Sequence, residues 1–356
     1  MNNFFAEQKS AISAYLTDYL LQKREVLGMV HPMGADSADR ILDFSKKGKM
    51  LRGGLVALAY LLTRKDRSAN EVPSAVTAVG AVMELFQSGF LIHDDIMDRD
   101  EKRRGVQSIF AQYSRMAAHQ GIDDYYHTGE SLGMCAGDIT FFAAFEILAA
   151  LDSTEKCQLI GLCAREISYV GVAQMMDVYW GQTGDDISEE DVIGLYRYKT
   201  GRYTFSLPLM CGAQLAGADR IQTGALEQLG ELLGIVFQLK DDELGLFGEE
   251  KQLGKPIGSD LKEGKKTPFF IRLTGKASSQ EKDRLALLFR NKQISAEDVQ
   301  YVRELVEKYG IRREISDLCG DYAGQARKLI RGSDGFDPEY QLVLTQLIDY
   351  SLSRRA

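Results

Sequence analysis

Two pairs of adjacent aspartates follow apolar, helix-forming segments of the sequence. The aspartates of interest are Asp94, Asp95 and Asp98 in "FLIHDDIMDRDEKRRG", and Asp241 and Asp242 in "LLGIVFQLKDDELGLF". On a helix, Asp94 and Asp98 are one turn apart and share a face. Clustered carboxylate oxygens suit Mg²⁺, which takes one or two of them and completes its shell with water and phosphate oxygens. A solvated face is the alternative for either cluster alone, but together they predict a metal-lined mouth above an apolar cavity.

Cationic side chains beside glycines form a second set with chemical potential. They are Lys49 and Arg52 in "GKMLRG", Arg103 and Arg104 in "RRG", Lys199 in "YKTG" and Lys255 in "GKPIG". The spacing predicts that Lys49 and Arg52 share one helix face, and adjacent guanidiniums grip phosphate in a bidentate manner. The neighbouring glycines make backbone N–H groups available to an anion. Ordinary surface cations are the alternative, but the set as a whole favours a phosphate site.

The elements that position these residues are predicted to be helices. There is no proline between Pro73 and Pro208, and that segment is rich in Ala, Leu, Met, Glu and Gln. Apolar residues recur at helical spacing over 55–62, 139–151 and 226–247. Alternation of period two is hard to find, so the predicted fold class is all-α.

The chain of 356 residues, 45% of them hydrophobic, is long enough for a sizeable core. Turn-like composition at 31–37 predicts a break between helices, and Ser188 followed by acidic residues predicts a helix start. No stretch has the length or composition of an interdomain linker, and no internal repeat is visible. A single domain over residues 1–356, with ten or more helices, is the expected organisation.

Composition also excludes several kinds of partner. A net charge of -8 argues against nucleic-acid binding, which depends on surplus Lys and Arg. Five cysteines without a CxxC pair indicate neither a disulfide framework nor a zinc site. Charges interrupt every apolar run, and the N-terminus lacks the pattern of a signal peptide. We therefore expect a cytoplasmic protein with no stable membrane span.

From about residue 40 to about residue 275, the ordered motifs resemble those of the all-trans isoprenyl diphosphate synthases, or polyprenyl synthetases. The motifs are "GKMLR", "DDIMD" with "RRG", "AGD", "AQMMD", "YKTGRYTFSLPL", "FQLKDDELGLFG" and "GKPIGSDLKEGKKT". The resemblance implies the isoprenoid synthase fold, a single-domain helical bundle around a deep central cavity, working as a homodimer. It also implies about three Mg²⁺ ions per active site.

The resemblance assigns roles to individual residues. The metal ligands would be Asp94, Asp98 and Asp241, supported by Asp95 and Asp242. Isopentenyl diphosphate would be bound by Lys49, Arg52, Gln87 and Arg104, and the allylic diphosphate by Arg103, Lys199, Thr200, Gln238 and Lys255. The residues implied in catalysis are Asp94, Asp95, Asp98, Arg103, Lys199 and Asp241. Two departures from the family pattern stand out: Gln87 replaces a histidine found in many members, and Gly245 replaces the last aspartate of the second motif.

The implied reaction joins isopentenyl diphosphate to a dimethylallyl, geranyl or farnesyl diphosphate. Ionisation of the allylic C–O bond needs charge stabilisation, which Mg²⁺ and cationic side chains provide, and an apolar pocket excludes water. A class I terpene cyclase is disfavoured because its second metal motif differs. A non-catalytic subunit that modulates another synthase is a further alternative, although such subunits usually lose one of these motifs.

Product length is expected to depend on the apolar turns before Asp94. Phe90 would lie ~6 Å and Phe86 ~12 Å below the metal site at 1.5 Å rise per residue. In the family, a bulky residue five positions before the motif tends to stop the chain early, and here that residue is Gly89. Phe86 is then the predicted floor, which favours a C20 product, geranylgeranyl diphosphate, over C15 farnesyl diphosphate. Ordinary core packing of both phenylalanines is the alternative.

Overall fold

The computed structural model describes residues 1–68, 71–103, 105–183, 187–248, 258–291 and 293–354. Nearly all regular structure in these ranges is helical, as the sequence predicts. The chain forms two compact units. The first unit comprises residues 1–162 and 211–218, and the second comprises residues 163–210 and 219–356. The expectation of a single domain stays a prediction.

The first unit is built from long helices and one short hairpin. Its helices are α1 (Asn2–Val30), α2 (Pro32–Lys46), α3 (Leu51–Thr63), α4 (Ser74–Met97), α5 (Ile109–His119) and α6 (Tyr125–Ala150), and α7 (Lys156–Gln182) begins in it. Strand β1 (Lys102–Arg103) pairs antiparallel with β2 (Val106–Gln107). Helix α4 is the core helix, with most of its residues buried between Val76 and Asp95. Its most extensive partner is α6.

Helices α3 and α4 approach each other closely because glycines face each other at their crossing. A Cβ added at Gly53 would lie 2.8 Å from the carbonyl oxygen of Gly80. The N–H of Gly53, one of the donors left without a partner at a helix start, donates to Glu84 Oε1 of α4 at 2.8 Å. The start of α3 is therefore held against the middle of α4.

The second unit contains the remaining elements. They are α8 (Glu189–Tyr196), a π-helix (Arg197–Ser206), α9 (Leu207–Leu215, which ends in the first unit), α10 (Arg220–Phe247), α11 (Ser259–Glu263), α12 (Pro268–Lys276), α13 (Ser279–Leu288), α14 (Ala296–Lys308), α15 (Ile311–Arg331) and α16 (Pro338–Ser353). Helix α10 is the central element and packs against the π-helix and α15. A Cβ on Gly234 would lie 2.0 Å from Gly201 Cα, so only glycine lets these two backbones touch.

Two predictions about helix starts had different outcomes. Ser188 caps α8 in a capping box with Asp191, so the predicted start is confirmed. The break predicted over 31–37 is present but shorter than predicted, because only His31 interrupts the helices and α2 already begins at Pro32. Proline is well tolerated at the first position of a helix, which explains why a turn-like sequence continues as helix here.

By length and composition alone, α4 and α6 are each long and apolar enough to cross a membrane. In the most apolar 18-residue window, 72% of α4 and 44% of α6 is buried inside the protein. Core helices of globular proteins pass the same test, so this finding is weak evidence for a span. The expected absence of a membrane span stays a prediction.

Candidate functional site

The first aspartate motif lies at the end of α4. Asp94 and Asp95 are within the last turn of the helix, and Asp98 is its C-terminal cap. The Asp94 side chain is 23% exposed and Asp98 is exposed, whereas Asp95 is fully buried. Adjacent residues on a helix point about 100° apart, so one carboxylate reaches the surface while the next enters the core. Asp94 and Asp98 are therefore the accessible oxygens of this motif.

Arg103 approaches this motif from strand β1. Its Nε donates to Asp95 Oδ1 at 2.5 Å, and its Nη2 lies 3.3 Å from Asp94 Oδ2 and 3.4 Å from Asp100 Oδ2. Burial raises the pKa of Asp95 to about 6, although the Arg103 guanidinium opposes the shift. The structure thus joins Arg103 to the predicted metal ligands. Arg104 lies outside the described residues.

The expectation that Lys49 and Arg52 share one helix face is wrong. Met50 has a left-handed backbone with φ of 55°, and α3 begins only at Leu51, so Lys49 precedes the helix. A non-glycine residue in this region is uncommon, and such conformations persist where the surroundings impose them. Lys49 is exposed, Arg52 is half-buried, and the half-buried Gln87 lies one turn after Glu84, which binds the start of α3. An anion could therefore reach Lys49 on the loop before α3, and not on a face of that helix.

The predicted length-determining residues face α6. Phe86 is fully buried, and its ring centroid lies 5.3 Å from that of Phe145. Phe90 packs edge to face on Phe141, with centroids 4.9 Å apart. A Cβ added at Gly89 would lie 3.0 Å from two ring atoms of Phe141. The aromatic wall below Asp94 is therefore built by both helices.

The second aspartate motif lies inside α10, which continues to Phe247. The Asp241 side chain is 40% exposed and lies 2.9 Å from Nη1 of Arg354. Asp242 is buried and accepts hydrogen bonds from the Tyr196 hydroxyl and, at 3.2 Å, from Gln238 Nε2. Burial, reinforced by the nearby Asp260, raises the pKa of Asp242 well above its ordinary value. The accessible and buried carboxylates alternate here as they do in α4.

Lys199 and Thr200 belong to the π-helix, a form that often marks functional sites. The Lys199 ammonium is paired with the Asp177 carboxylate of α7. Thr200 Oγ1 donates to Gln238 Oε1 at 3.1 Å, and the Gln238 amide in turn donates to Asp242. The structure therefore brings Thr200, Gln238 and Asp242 into one hydrogen-bonded chain. Lys255 lies outside the described residues.

An ion network fixes the π-helix in place. The Arg202 guanidinium contacts Glu166 at 2.8 Å and both Glu227 and Glu231 at 2.6 Å. Glu166 is fully buried, and an uncompensated charge there would be costly, so the four side chains hold one another. This network orients the backbone that carries Lys199.

Asp260 lies over the position where the second motif has glycine. A Cβ at Gly245 would lie 2.9 Å from Asp260 Oδ2. Both residues, with Asp242 and Lys265, line a cavity of about 30 Å³, which is room for a water molecule. Burial lowers the pKa of Lys265, but the carboxylates of Glu263 and Asp260 outweigh it and the net pKa is raised. A carboxylate from α11 therefore occupies the space beside Gly245.

The carboxylate oxygens of the two aspartate motifs are hard donors of the kind that Mg²⁺ prefers. Among the described residues, no three His, Cys, Asp or Glu side chains are grouped closely enough to hold a metal ion by themselves. Because Mg²⁺ is usually held by one or two carboxylates with water and substrate phosphate oxygens, Asp94 and Asp241 still match its preference. All five cysteines are described, and none of them forms a disulfide.

Several residues of these surroundings escaped the sequence analysis. They are Phe141 and Phe145 of α6, Asp177, Tyr196, Asp260, Lys265 and Arg354. Asp177, Asp260 and Lys265 do lie in motifs that resemble the family's, and this signal could have identified them. The aromatic and arginine contacts depend on which helices meet, and no local pattern indicates that.

Comparisons of the sequence and of the structure with known proteins point to the same family. Residues 37–306 match the model of the family described as polyprenyl synthetase. A short chain isoprenyl diphosphate synthase of Methanocaldococcus jannaschii is 30% identical over 278 residues, covering 76% of this chain and 78% of the relative. A geranylgeranyl diphosphate synthase of Saccharolobus solfataricus is 30% identical over 316 residues, covering 88% of each chain.

A solved structure resembles the chain along nearly its whole length. It is a geranylgeranyl pyrophosphate synthase from Corynebacterium glutamicum, complexed with isoprenyl diphosphate and magnesium. The TM-score is 0.90 at 25% sequence identity, and the match covers 98% of this chain and 99% of the other.

Proposed function

Because this chain belongs to the polyprenyl synthetase family and has the isoprenoid synthase fold, we propose that it condenses isopentenyl diphosphate with an allylic diphosphate. It is a short-chain trans-prenyltransferase, and the proposed product is geranylgeranyl diphosphate, with farnesyl diphosphate the next candidate. The curated geranylgeranyl diphosphate synthase that it resembles over 88% of its length supports the longer product.

The observation that carries this proposal is the sorting of carboxylates in both aspartate motifs. Asp94 and Asp241 are accessible, whereas Asp95 and Asp242 are buried and hydrogen-bonded. In our proposal Asp94, Asp98 and Asp241 would be the protein ligands of about three Mg²⁺ ions, whose shells water and substrate oxygens would complete. The ions would supply Lewis-acid stabilisation of the departing diphosphate.

The protein's own side chains bind the two diphosphates in this mechanism. Lys199, Thr200 and Gln238 orient the allylic diphosphate together with Arg103 and Lys255, and Lys49, Arg52, Gln87 and Arg104 bind isopentenyl diphosphate. Cationic donors fixed in place stabilise negative charge as it develops on the leaving group.

The aromatic wall of α4 and α6 keeps water from the allylic cation, since Phe86 and Phe90 pack against rings of the facing helix. The alkene of isopentenyl diphosphate then attacks the cation, and the proton lost at the end passes to the released diphosphate.

Further parts of the proposal concern assembly and location. We propose one functional domain over residues 1–356, acting as a homodimer in the cytoplasm. The lack of a disulfide among the five described cysteines is compatible with a reducing compartment. Large apolar side chains exposed on α7, including Val172, Met175 and Tyr179, support association with a second copy.

The direct test incubates the pure chain with Mg²⁺, radiolabelled isopentenyl diphosphate and each of the C5, C10 and C15 allylic diphosphates. We expect radiolabel in a prenyl diphosphate that reverse-phase chromatography resolves by length, and loss of product when Mg²⁺ is chelated. If the chain alone makes no product with any primer but changes the product of another synthase, the catalytic proposal is wrong and a modulatory role replaces it.

A further inference from the structure

The strand that carries Arg103 belongs to a hairpin that is too small to be stable alone. Strands β1 and β2 have two residues each, and they pair Lys102 with Gln107 and Arg103 with Val106. An isolated two-stranded hairpin is marginally stable at best in water. Arg103 is proposed to orient the allylic diphosphate, so its position depends on the contacts that fix this hairpin to the rest of the first unit.

The Gln112 side chain of α5 anchors strand β2. Its Nε2 donates to the backbone carbonyl oxygen of Gln107 at 3.0 Å. Its Oε1 accepts a hydrogen bond from Arg40 Nη1 of α2 at 2.7 Å. One amide group therefore joins two helices to the strand that pairs with β1, and it does so as a donor on one side and as an acceptor on the other.

The Arg40 guanidinium fixes the direction in which the Gln112 amide points. Its Nε and Nη2 donate to the two carboxylate oxygens of Asp36 at 2.7 and 3.0 Å, and its central carbon lies 4.5 Å from the centroid of the Tyr113 ring. A guanidinium held in a bidentate pair and over a ring keeps little freedom. Since it can only donate, the amide oxygen of Gln112 must face it, and the amide N–H groups are left facing β2.

A small displacement of the hairpin would change the contacts of Arg103. Its Nε lies 2.5 Å from Asp95 Oδ1, and its Nη2 lies 3.3 Å from Asp94 Oδ2. Charge-assisted hydrogen bonds of this kind depend on the direction of the guanidinium as well as on its distance. Gln107 is exposed, so water would replace a lost Gln112 amide at the carbonyl oxygen without fixing the strand. Loss of the amide therefore removes a restraint on geometry and leaves no buried polar group unsatisfied.

We propose that Gln112 is a positioning residue for the reaction: it holds the β1–β2 hairpin so that the Arg103 guanidinium meets the carboxylates and the allylic diphosphate in the correct direction. This inference rests on the proposed function. Gln112 touches no substrate in this proposal, and it lies outside every motif from which the sequence assigns a role. Its effect on the reaction passes through Arg103.

The first experiment replaces the amide by a carboxylate. Gln112→Glu keeps the length of the side chain and an acceptor for Arg40, but it has no N–H group for the Gln107 carbonyl. We expect kcat/KM for the allylic diphosphate to fall by roughly three- to tenfold, the factor that corresponds to one net hydrogen bond. The thermal unfolding midpoint should not fall, because the new carboxylate forms an ion pair with Arg40 and keeps α2 linked to α5.

Gln120→Glu is the matched control. Gln120 is exposed and is the C-terminal cap of α5, so the substitution makes the same change of charge at the end of the helix that is remote from β2. It should leave kcat/KM unchanged. A second variant, Gln112→Met, is uncharged and of similar size, and it guards against misfolding of the glutamate variant. It should lower kcat/KM by a similar factor.

A double-mutant cycle with Arg103→Ala tests the route from Gln112 to the reaction. With the guanidinium gone, Gln112 has nothing left to position. Adding Gln112→Glu or Gln112→Met to Arg103→Ala should therefore lower kcat/KM by less than about twofold. A purely structural role would give the same factor in both backgrounds. Formation of radiolabelled product by the pure variants measures the rates of the cycle.

The outcomes separate the two levels of the argument. If the wild-type chain makes no prenyl diphosphate, the proposed function fails and this assignment with it. If the wild-type chain is active but both Gln112→Glu and Gln112→Met leave kcat/KM unchanged, the positioning role is overturned. It is also overturned if the factors are equal with and without Arg103, or if Gln120→Glu lowers kcat/KM as much as Gln112→Glu does.

Discussion

The aspartate pair at the end of α4 and the pair within α10 have the same sequence pattern, but the buried carboxylate has a different kind of partner in each. In the first unit, Asp95 is paired with the Arg103 guanidinium. In the second unit, Asp242 accepts hydrogen bonds from the neutral Tyr196 hydroxyl and Gln238 amide. In both, the preceding aspartate is accessible. The helix geometry sorts each pair, and the surrounding elements decide how the buried member is satisfied.

The different partners have different electrostatic consequences. A guanidinium opposes the effect of burial, and the pKa of Asp95 rises only to about 6. Neutral donors oppose burial less, and the neighbouring Asp260 adds repulsion, so the pKa of Asp242 rises well above its ordinary value. Each buried member therefore favours its protonated form more than an exposed aspartate would, and the accessible members remain the better metal ligands.

Loss of an accessible carboxylate should have the largest effect. Asp94→Ala and Asp241→Ala should each lower kcat/KM by a factor on the order of 10² to 10³, the range for removal of one preorganised stabilising group. Steady-state kinetics with saturating Mg²⁺ measures this loss. Asp123→Asn, a change at an exposed aspartate in the first unit, is the control and should leave the rate unchanged. Full activity in Asp94→Ala would refute its assignment as a metal ligand.

A pH titration of stability should separate the buried Asp95 from its accessible neighbours. Its pKa is raised from 3.8 to about 6, so the folded state binds the proton more tightly than the unfolded state. The contribution of Asp95 to the free energy of unfolding is therefore largest below pH 4 and falls as the pH rises toward 6. A shift of two units corresponds to roughly 3 kcal/mol.

The measurement is urea unfolding in the presence of a chelator, with the wild-type chain and Asp95→Asn compared at pH 4 and pH 7. Between pH 4 and pH 7 the free energy of unfolding of the variant should rise by about 2 to 3 kcal/mol relative to that of the wild type, because only the wild type must ionise a buried carboxyl. A difference that does not change with pH would show that Asp95 ionises as easily in the folded protein as in the unfolded one.

The sequence predicts the all-α fold and the family motifs because both are local. Apolar spacing places α3, α6 and α10 correctly, and Ser188 begins α8 as predicted. The prediction fails where a single backbone conformation decides the outcome. Met50 adopts a left-handed conformation that removes Lys49 from α3, and nothing in the residue types of "GKMLRG" requires it.

The sequence also does not predict the contacts between helices that are distant along the chain. Gly89 by itself suggests empty space, and only the packing of α6 on α4 reveals the ring of Phe141 beside it. In the same way Gly245 suggests a missing carboxylate, and only the placement of α11 reveals Asp260. A glycine marks a position where a side chain is absent, and tertiary structure decides which other atoms fill it.

Asp260 should compensate in part for the glycine in the second motif. Asp260→Asn should weaken Mg²⁺ binding by about tenfold, the lower range for groups that support metal ligands. Calorimetry with Mg²⁺ and inorganic diphosphate measures this without turnover. Adding Gly245→Asp to Asp260→Asn should recover part of the affinity, since it restores a carboxylate at the same place. Asp283→Asn, an exposed change in the same unit, is the control, and equal affinities in all variants would contradict the idea.

The smallest expected effect concerns Arg354, which lies at the second aspartate pair. Arg103 contacts the buried aspartate of its pair most closely, but Arg354 contacts the accessible one, Asp241, and lies 4.0 Å over the Phe237 ring. Mg²⁺ bound by Asp241 must compete with this ion pair. Partly exposed ion pairs contribute 0.2 to 1 kcal/mol, so Arg354→Ala should lower the Mg²⁺ concentration for half-maximal activity by roughly threefold and at most about fivefold.

Arg354→Lys, which keeps the charge, should shift the Mg²⁺ requirement less than Arg354→Ala. Arg313→Ala, at an arginine whose side chain is 89% exposed, is the control and should not shift it. An increased Mg²⁺ requirement in Arg354→Ala would have the opposite meaning: the guanidinium would then assist the anionic substrate more than it opposes the metal. In that case Arg354 would act at the second aspartate pair as Arg103 is proposed to act at the first, and the two regions would differ less than their contacts suggest.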